Sequence, residues 1–540
     1  MALRRTLFLL ALSALLLRGA PAAEPERLGT VSFPVTCKAG QQGPFNRGVA
    51  LLHDFWYDEA RAQFERILAA DPRCAMAHWG VAMSVFHQIW DRPDDEALAV
   101  GEKHMKLALG HPAATAREQG YIDALAGFYR LDERKYPARI ADYAKAMALL
   151  HERFPDDLDA AAFHALAILA AEDPDDTSLR AEREALGIVE PLFQSHPEHP
   201  GVVHYIIHAG DTPALAAEAL PAANRYGVIA ASAPHAVHMA GHIYARLGMW
   251  REDIASQLGS IEASHAAEAR HMSGAMDQFH SDDFLSYAYL QAGEDARARE
   301  VLKVDAALLD RLEADPHSAH HSMPGMFAYH RAKLPVFYHL EMRDWPAVAA
   351  LQPVATDQRE NQLLTYWAWA IAAGYRHQAT QAQDAIDAYE AAMAEIRKGR
   401  HAYYETSTFV SIQRDEMQAW AAFAAGNPDE AQRLMRRAAD LQDRVGQGEV
   451  DIPAREMLAD ILVESGDPRA ALVEYDRALA LSPRRLNGLV NAGIAAERAG
   501  DQARALKYYE ALMQSTNRGI DSSRADLVHA RDVVDASTSR

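Results

Sequence analysis

The stretch GDPRAALVEYDRAL at residues 466–479 returns as GDQARALKYYEALM at residues 500–513. Each copy opens with a Gly-Asp pair, has alanine five residues after the glycine, and has tyrosine four residues further on. Glycine suits a tight turn, alanine lets two helices approach closely, and the aromatic ring fills the space beside that contact. The spacing of the two copies matches the period of about 34 residues that is typical of the tetratricopeptide repeat, and it predicts two antiparallel helices in each repeat.

Similar marks occur along the rest of the chain. Near the N-terminus, Gly48, Ala60, Phe64 and Pro72 stand at the relative positions expected of the same repeat. The windows between have apolar residues at helical spacing and no sustained period-two alternation. The sequence therefore predicts an all-α, TPR-type helix-turn-helix solenoid, a right-handed superhelix of antiparallel helix pairs. Further turn marks recur at uneven spacing, at residues 248–250, 293–295, 343–345 and 426–428.

The marks also predict how the 540 residues are organised. The predicted parts are a signal peptide at 1–23, an N-terminal segment at 24–44, an N-terminal solenoid with a histidine-lined groove at 45–345, irregular helical repeats at 346–450, regular C-terminal repeats at 451–520, and a terminal helix and tail at 521–540.

Composition excludes some classes of partner. Apolar residues make up 49% of the chain and charged residues 24%, which is typical of a folded protein. The net charge is −21, and loss of the leader would make it more negative because that segment has three arginines and no acid. A field of this sign repels nucleic acid and anionic membranes, so neither is expected as a partner.

Residues 1–23 resemble a secretory signal peptide. A short basic head precedes an apolar run at residues 6–17, and small residues follow at 20–23. The run falls short of the roughly 20 residues that span a bilayer, and no integral membrane segment is expected in the mature chain. The predicted location is therefore the periplasm or the extracellular space. In such a compartment Cys37 and Cys74 are disulfide candidates, with two buried thiols as the alternative.

Three segments together resemble a family of exported bacterial tetratricopeptide-repeat proteins. They are Phe45 to Ala60, which reads FNRGVALLHDFWYDEA; Asp71 to Gly80, which reads DPRCAMAHWG; and His235 to Tyr244, which reads HAVHMAGHIY. The resemblance implies the repeat fold and export, and it implies no activity, cofactor or catalytic residue. Relatives have proline directly after the His-x-x-His-Met unit, whereas this chain has Ala240, so the helix is expected to run straight through His242.

Histidines form two stripes that share the repeat period. His204 and His208 lie on one helical face, and His235, His238 and His242 lie on one face of the next predicted helix of the same kind. His204 and His238 stand one repeat period apart, as do His208 and His242. Since residues one period apart occupy equivalent places on neighbouring parallel helices, the two stripes are predicted to stand side by side.

The next turn mark, at Gly293, comes later than one period after Gly248. The excess is close to three full helical turns, so the helical phase is nearly kept. This spacing places His280, Asp283 and Tyr287 in the same column, and the following helix adds His330. First helices of each pair line the concave face of such a superhelix, so the column is predicted to line the groove of the N-terminal half. Candidate acceptors for the second ring nitrogens of the histidines are Asp211, Asp277 or Asp282.

This column is a candidate site for a transition metal, namely Zn, Cu, Fe or Ni. Two other interpretations stay open, which are a metal-free polar network that grips a ligand or peptide, and histidines with only a structural role. The predicted metal ligands are His204, His208, His235, His238, His242, His280 and Asp283, with Tyr287 and His330 as further polar groove residues.

The function predicted from these patterns is a binding or scaffold protein whose groove takes a protein, peptide or small ligand, with or without a metal. The alternative is a metal-dependent enzyme in which Asp283 or Tyr287 moves protons. No glycine-rich phosphate loop, Gly-x-Ser-x-Gly elbow or Cys-x-x-Cys occurs in the sequence, which argues against nucleotide hydrolysis, serine esterase and thiol redox activities. The sequence therefore favours binding over catalysis.

Overall fold

A computed structural model of the chain describes residues 26–89, 92–111, 115–130, 132–173, 176–316, 324–356, 358–398, 407–446, 448, 450–520 and 522–539. These residues form helices and connecting segments with no β-strand among them, so the prediction of an all-α fold is confirmed. The predicted signal peptide lies outside the described residues. Among the helices that are described, none is long and apolar enough to cross a membrane.

The helices follow one another with short connections. They are α1 (Gln42–His53), α2 (Tyr57–Ala70), α3 (Ala75–Met83), α4 (Asp95–Gly110), α5 (Ala116–Phe128), α6 (Tyr136–Arg153), α7 (Leu158–Ala170), α8 (Arg180–Ser195), α9 (Pro200–Gly210), α10 (Ala216–Ile229), α11 (Pro234–Arg246), α12 (Trp250–Glu268), α13 (Ala275–Gln291), α14 (Asp295–Ala314), α15 (Pro324–Glu341), α16 (Trp345–Ala350), α17 (Glu360–Tyr375), α18 (Ala379–Ile396), α19 (Thr408–Ala424), α20 (Pro428–Val445), α21 (Ala454–Glu464), α22 (Pro468–Leu481), α23 (Leu486–Arg498), α24 (Gln502–Ser515) and α25 (Ala525–Thr538).

Consecutive helices pack in pairs, and most odd-numbered helices also contact the next odd-numbered helix. The repeat residues have the roles that the sequence predicts. Gly466 follows the end of α21 with a φ of 87°, a left-handed conformation that favours glycine. Ala471 and Tyr475 are buried on α22, where they pack into the larger C-terminal core. The predicted helix-turn-helix solenoid is therefore confirmed.

The N-terminal half of the superhelix closes on itself. Helix α9 contacts α1, the first of the described helices. The two pack closely, since a hypothetical Cβ on Gly201 of α9 would overlap the ring of His53 at the end of α1. The extended residues 26–36 also pack inside this turn. Phe33 is completely buried, with its ring centroid 5.7 Å from that of Trp79 and 5.0 Å from that of Tyr121. The chain's own N-terminal residues therefore occupy part of the interior of this turn.

The C-terminal half closes in a similar way through the start of α23, which contacts α13. The indole of Trp250 donates to the backbone carbonyl of Arg484 at 3.0 Å, and the amide of Leu486 donates to Gln291 Oε1 at 2.8 Å. This turn keeps an inner cavity of about 710 Å³, lined by α15, α17, α19 and α20 and by the segment before α21. Its walls include Tyr329 and Trp367. None of the predicted metal ligands is among the described residues that line this cavity of the C-terminal half.

The structure joins Cys37 to Cys74 as a disulfide, with the two Cα atoms 5.0 Å apart. The bridge ties the N-terminal segment to the start of α3, where Lys38 N also donates to Asp71 Oδ2 at 2.8 Å.

We expect Cys37→Ser to lower the free energy of unfolding by roughly 2–5 kcal/mol, because the bridge closes a loop of 37 residues and restricts the unfolded chain. Denaturant unfolding of the oxidised protein, with and without reductant, measures this loss. If wild-type protein isolated from an oxidising compartment carries two free thiols, or if the variant is as stable as the wild type, the prediction is wrong.

Candidate metal centre

Six of the predicted ligands come together on the inner faces of three neighbouring helices, α9, α11 and α13. They form two groups of three, and within each group one possible ligand atom per residue lies within 4.8 Å of the others. We call the first group, His204, His208 and His235, the inner trio, because two of its members are buried. We call the second group, His238, His242 and His280, the outer trio, because two of its members are half-buried.

The two stripes meet with a shift of about one helical turn from the predicted register. The ring of His204 lies 5.2 Å from that of His235, which precedes the expected partner, His238, by three positions. The ring of His238 lies 4.3 Å from that of His280, which precedes the expected partner, Asp283, by the same step. A shift of three residues nearly preserves the helical face, so the histidines still converge although their partners change.

Hydrogen bonds fix the tautomer and the ring orientation of two histidines of the outer trio. His238 Nδ1 lies 2.7 Å from Gln257 Oε1, and His242 Nδ1 lies 2.9 Å from Asp211 Oδ2. Both partners are oxygen acceptors, so each Nδ1 carries the proton. The two Nε2 atoms then face each other at 2.9 Å with their lone pairs. Two imine nitrogens at this distance repel each other unless a proton or a metal ion lies between them.

Further hydrogen bonds hold the partners of these two rings, Gln257 and Asp211, in place. The amide of Gln257 donates to Asp253 Oδ1 at 2.8 Å, and the guanidinium of Arg246 donates to Asp211 Oδ1 at 2.9 Å. Gly241 lets α12 approach α11 closely, because a Cβ there would overlap the amide of Gln257 and stand 2.7 Å from Asp253 Oδ1. Carboxylates and amides that receive the second N–H of a histidine are the usual outer partners of metal-binding imidazoles.

The inner trio is covered by the loop between α1 and α2. His204 Nδ1 lies 2.6 Å from the backbone carbonyl of His53, to which it donates, and its Nε2 is buried without a hydrogen-bond partner among the described residues. Phe55 packs on all three rings, with centroid distances of 4.4 Å to His204, 5.3 Å to His208 and 5.6 Å to His235. Closure of the N-terminal turn therefore removes His204 and His235 from water and leaves His208 half-buried.

Desolvation favours the neutral form of three of the six histidines. Desolvation lowers the pKa of His204 to about 3, although the bond to the His53 carbonyl opposes this shift. Desolvation, followed by the neighbouring histidines, lowers the pKa of His235 and of His280 well below the ordinary value. A neutral imidazole is the form that binds metal ions, so these side chains are in the ligating state at neutral pH.

Three predicted residues lie outside both trios. Asp283 Oδ2 is ion-paired with Lys333 Nζ at 2.7 Å, because the shift in register moves it past the histidines. The hydroxyl of Tyr287 donates to the backbone carbonyl of Asp451 at 3.2 Å in the interior of the C-terminal turn. His330 is buried with its ring stacked on Phe279. The structure thus differs from the prediction that Asp283 joins the metal ligands and that Tyr287 and His330 line a groove.

Asp211, one of the three predicted candidate acceptors, accepts a hydrogen bond from His242 Nδ1. Sequence reasoning missed other residues of the site. Gln257 and Phe55 were not anticipated, because neither belongs to the histidine stripes and both reach them from other helices or loops. His53, His199 and Asp159 form a further buried group in which the carboxylate lies between the two rings, 3.1 Å and 3.3 Å from their Nε2 atoms. That carboxylate already satisfies both rings.

Comparison of the sequence with known families matches the tetratricopeptide repeat at residues 57–107 and 456–518. Both segments are therefore tetratricopeptide repeats, and they lie near the two ends of the described superhelix. The chain is a protein with tetratricopeptide repeats, and repeats of this kind provide extended surfaces that bind other proteins. No curated protein matches the sequence. Export and bacterial origin stay predictions.

Comparison with solved structures finds chains that align with most of this one at low sequence identity. Yeast Tom70 is 11% identical over 92% of this chain and 95% of its own, with a TM-score of 0.33. A monomeric mutant of IFIT1 with Gppp-AAAA is 13% identical over 89% and 98%, with a TM-score of 0.35. The TPR domain of P58(IPK) is 11% identical over 93% and 100%, with a TM-score of 0.21. Scores this low support no inference about the function of this chain.

Proposed function

We propose that this chain is an exported scaffold protein that binds a protein partner through its repeats and holds a transition metal ion in the outer trio. The observation that carries the metal is the pair of Nε2 atoms of His238 and His242, which face each other at 2.9 Å with both Nδ1 protons directed to oxygen acceptors. A divalent cation between them relieves the repulsion of the lone pairs. His280 supplies the third nitrogen.

The ligand set favours a late transition metal over a hard cation, because imidazole suits Zn, Cu and Ni, whereas Mg and Ca prefer oxygen. Zn–N bonds of about 2.0–2.1 Å place two tetrahedral ligands about 3.3 Å apart, so only a small movement of the rings is required. Three protein nitrogens leave one coordination position for water or for an acidic group of a partner. Such a position would link metal binding to partner binding on the scaffold.

A pair of glycine variants tests this proposal. We expect Gly241→Ala to weaken Zn²⁺ binding about 10- to 100-fold, because its Cβ pushes Gln257 away from His238 and removes the hydrogen bond that holds this ring. Competition with a chromophoric chelator, after removal of any metal carried through purification, measures the dissociation constant of each protein.

The matched control is Gly187→Ala, since this residue also lies within a helix but a Cβ there meets nothing within 4 Å. This variant should keep the wild-type affinity. The proposal fails if wild-type protein binds no Zn²⁺, Cu²⁺ or Ni²⁺ with a dissociation constant below about 1 μM at neutral pH. It also fails if Gly241→Ala and the wild type bind Zn²⁺ equally.

A further inference from the structure

The inner trio has a feature that the proposed function leaves unexplained. His204 is completely buried, its Nδ1–H is donated to the carbonyl of His53, and its Nε2 has no hydrogen-bond partner among the described residues. Because Nδ1 is occupied, Nε2 is the nitrogen of His204 that is left to accept a hydrogen bond or to bind an ion. A buried acceptor without a donor costs free energy, and such sites in folded proteins usually hold a water molecule or an ion.

The surroundings of the inner trio hold its three rings in fixed positions. Phe55 covers the three rings, and its backbone has a φ of 54°, an uncommon conformation for a side chain of this size. Such strain persists only where the surrounding contacts enforce it. The rings are fixed before any ion arrives, because the carbonyl of His53 orients His204 and Phe55 packs on all three.

The two trios adjoin on one helix. His235 and His238 are successive members of the stripe on α11, and their ring centroids are 6.0 Å apart. His235 belongs to the inner trio and His238 to the outer trio, so ions held by the two groups would be neighbours. Two adjacent metal ions held by nitrogen ligands commonly share an oxygen ligand from solvent or substrate between them.

We propose that the inner trio binds a second divalent transition-metal ion, so that His204, His208 and His235 complete a dinuclear centre with His238, His242 and His280. This inference rests on the proposed function for its first ion. The ions are of the class that neutral imidazoles prefer, Cu²⁺ or Zn²⁺, and the ligand expected between them is a small oxygen anion such as hydroxide. Two ions give the protein a site that polarises a bound anion from two sides.

The experiment loads metal-free full-length protein with Cu²⁺ and measures bound copper by elemental analysis after gel filtration. Electron paramagnetic resonance of the same samples reports whether the ions interact. We expect two copper ions per chain in the wild type, with a signal that is broadened or lost by magnetic coupling. His208→Ala should bind one ion and show the sharp signal of isolated Cu²⁺, because His208 is half-buried and its removal leaves the outer trio intact.

A second variant distinguishes the loss of a ligand from a folding defect. His204→Gln keeps an N–H donor for the carbonyl of His53 while removing the imidazole ligand, and it should also bind one isolated ion. His280→Ala removes a ligand of the outer trio and should leave one ion in the inner trio. Circular dichroism verifies that each variant is folded.

The outcomes separate the two proposals. One ion in the wild type that survives in His208→Ala and is lost in His280→Ala overturns the dinuclear centre and leaves the proposed function standing. Two ions without coupling, both retained in His208→Ala and His204→Gln, place the second ion elsewhere and also overturn it. No bound ion in the wild type overturns both.

Discussion

Arg485→Met is expected to destabilise the C-terminal half by about 3–5 kcal/mol, because it leaves two buried carboxylates without their cation. The guanidinium of Arg485 is 1% exposed and lies 2.9 Å from Glu341 Oε1 and 3.0 Å from Glu456 Oε2. It also donates to the hydroxyl of Tyr287 and to the carbonyl of Asp451. One side chain at the start of α23 thus bonds to residues of α13, α15, α21 and the segment before α21.

The electrostatics of this cluster explain the size of the effect. Burial alone would lower the pKa of Arg485, but Glu341 and Glu456 hold it well above the ordinary value. Burial raises the pKa of Glu456, and Arg485 opposes that shift. Without the arginine, both glutamates must either take up a proton or remain charged in an apolar interior. Either change destabilises the folded state, because water cannot hydrate the buried carboxylates there.

Urea unfolding followed by circular dichroism, with limited proteolysis of the C-terminal half, measures the loss. Arg498→Met is the matched control, because Arg498 pairs with Glu464 at 3.2 Å on the exposed surface and such pairs contribute roughly 0–1 kcal/mol. Equal stability of the two variants would contradict the interpretation. If Glu341→Gln and Glu456→Gln restore part of the loss in the Arg485→Met background, the unpaired charges are its cause.

The helical repeats could be predicted from the sequence because their marks are local. Glycine turns, alanine contacts and aromatic residues recur within one repeat, and each has the same physical role wherever it occurs. The closure of the superhelix could not be predicted in this way. It depends on contacts such as Gly29 N to the carbonyl of Ile229 and Ser232 N to the carbonyl of Arg27, which join distant parts of the chain without a recognisable pattern.

The candidate site was predictable to the level of helix faces but not of individual contacts. The period placed the histidines of α9, α11 and α13 on converging faces, and the structure brings six of them together. The stagger between neighbouring helices is not encoded in the period, so His204 lies beside His235, and Asp283 pairs with Lys333. The cover over the inner trio could not be predicted for a similar reason, since the loop that carries Phe55 comes from the first repeat and reaches the three rings from another part of the chain.

His238→Ala is expected to abolish stoichiometric metal binding by the outer trio. His238 contributes one of the two facing Nε2 atoms, and its ring also contacts those of His242 and His280. Loss of a direct ligand should weaken Zn²⁺ binding by more than the roughly 10- to 100-fold that removal of a ligand's hydrogen-bond partner costs. Chelator competition and elemental analysis of purified protein measure this change.

Loss of metal in His238→Ala has to be compared with a variant of a histidine that lies outside the site. His53 and His529 both lie outside the predicted column, but the backbone carbonyl of His53 accepts a hydrogen bond from His204 Nδ1, and the buried ring of His53 contacts Asp159. A change at His53 would therefore disturb the inner trio. His529 is exposed and pairs only weakly with Glu497 at 3.0 Å, so His529→Ala should retain full metal content. If His238→Ala and His529→Ala carry equal amounts of metal, the ion is bound elsewhere, and the facing imidazoles of His238 and His242 then share a proton instead of a metal.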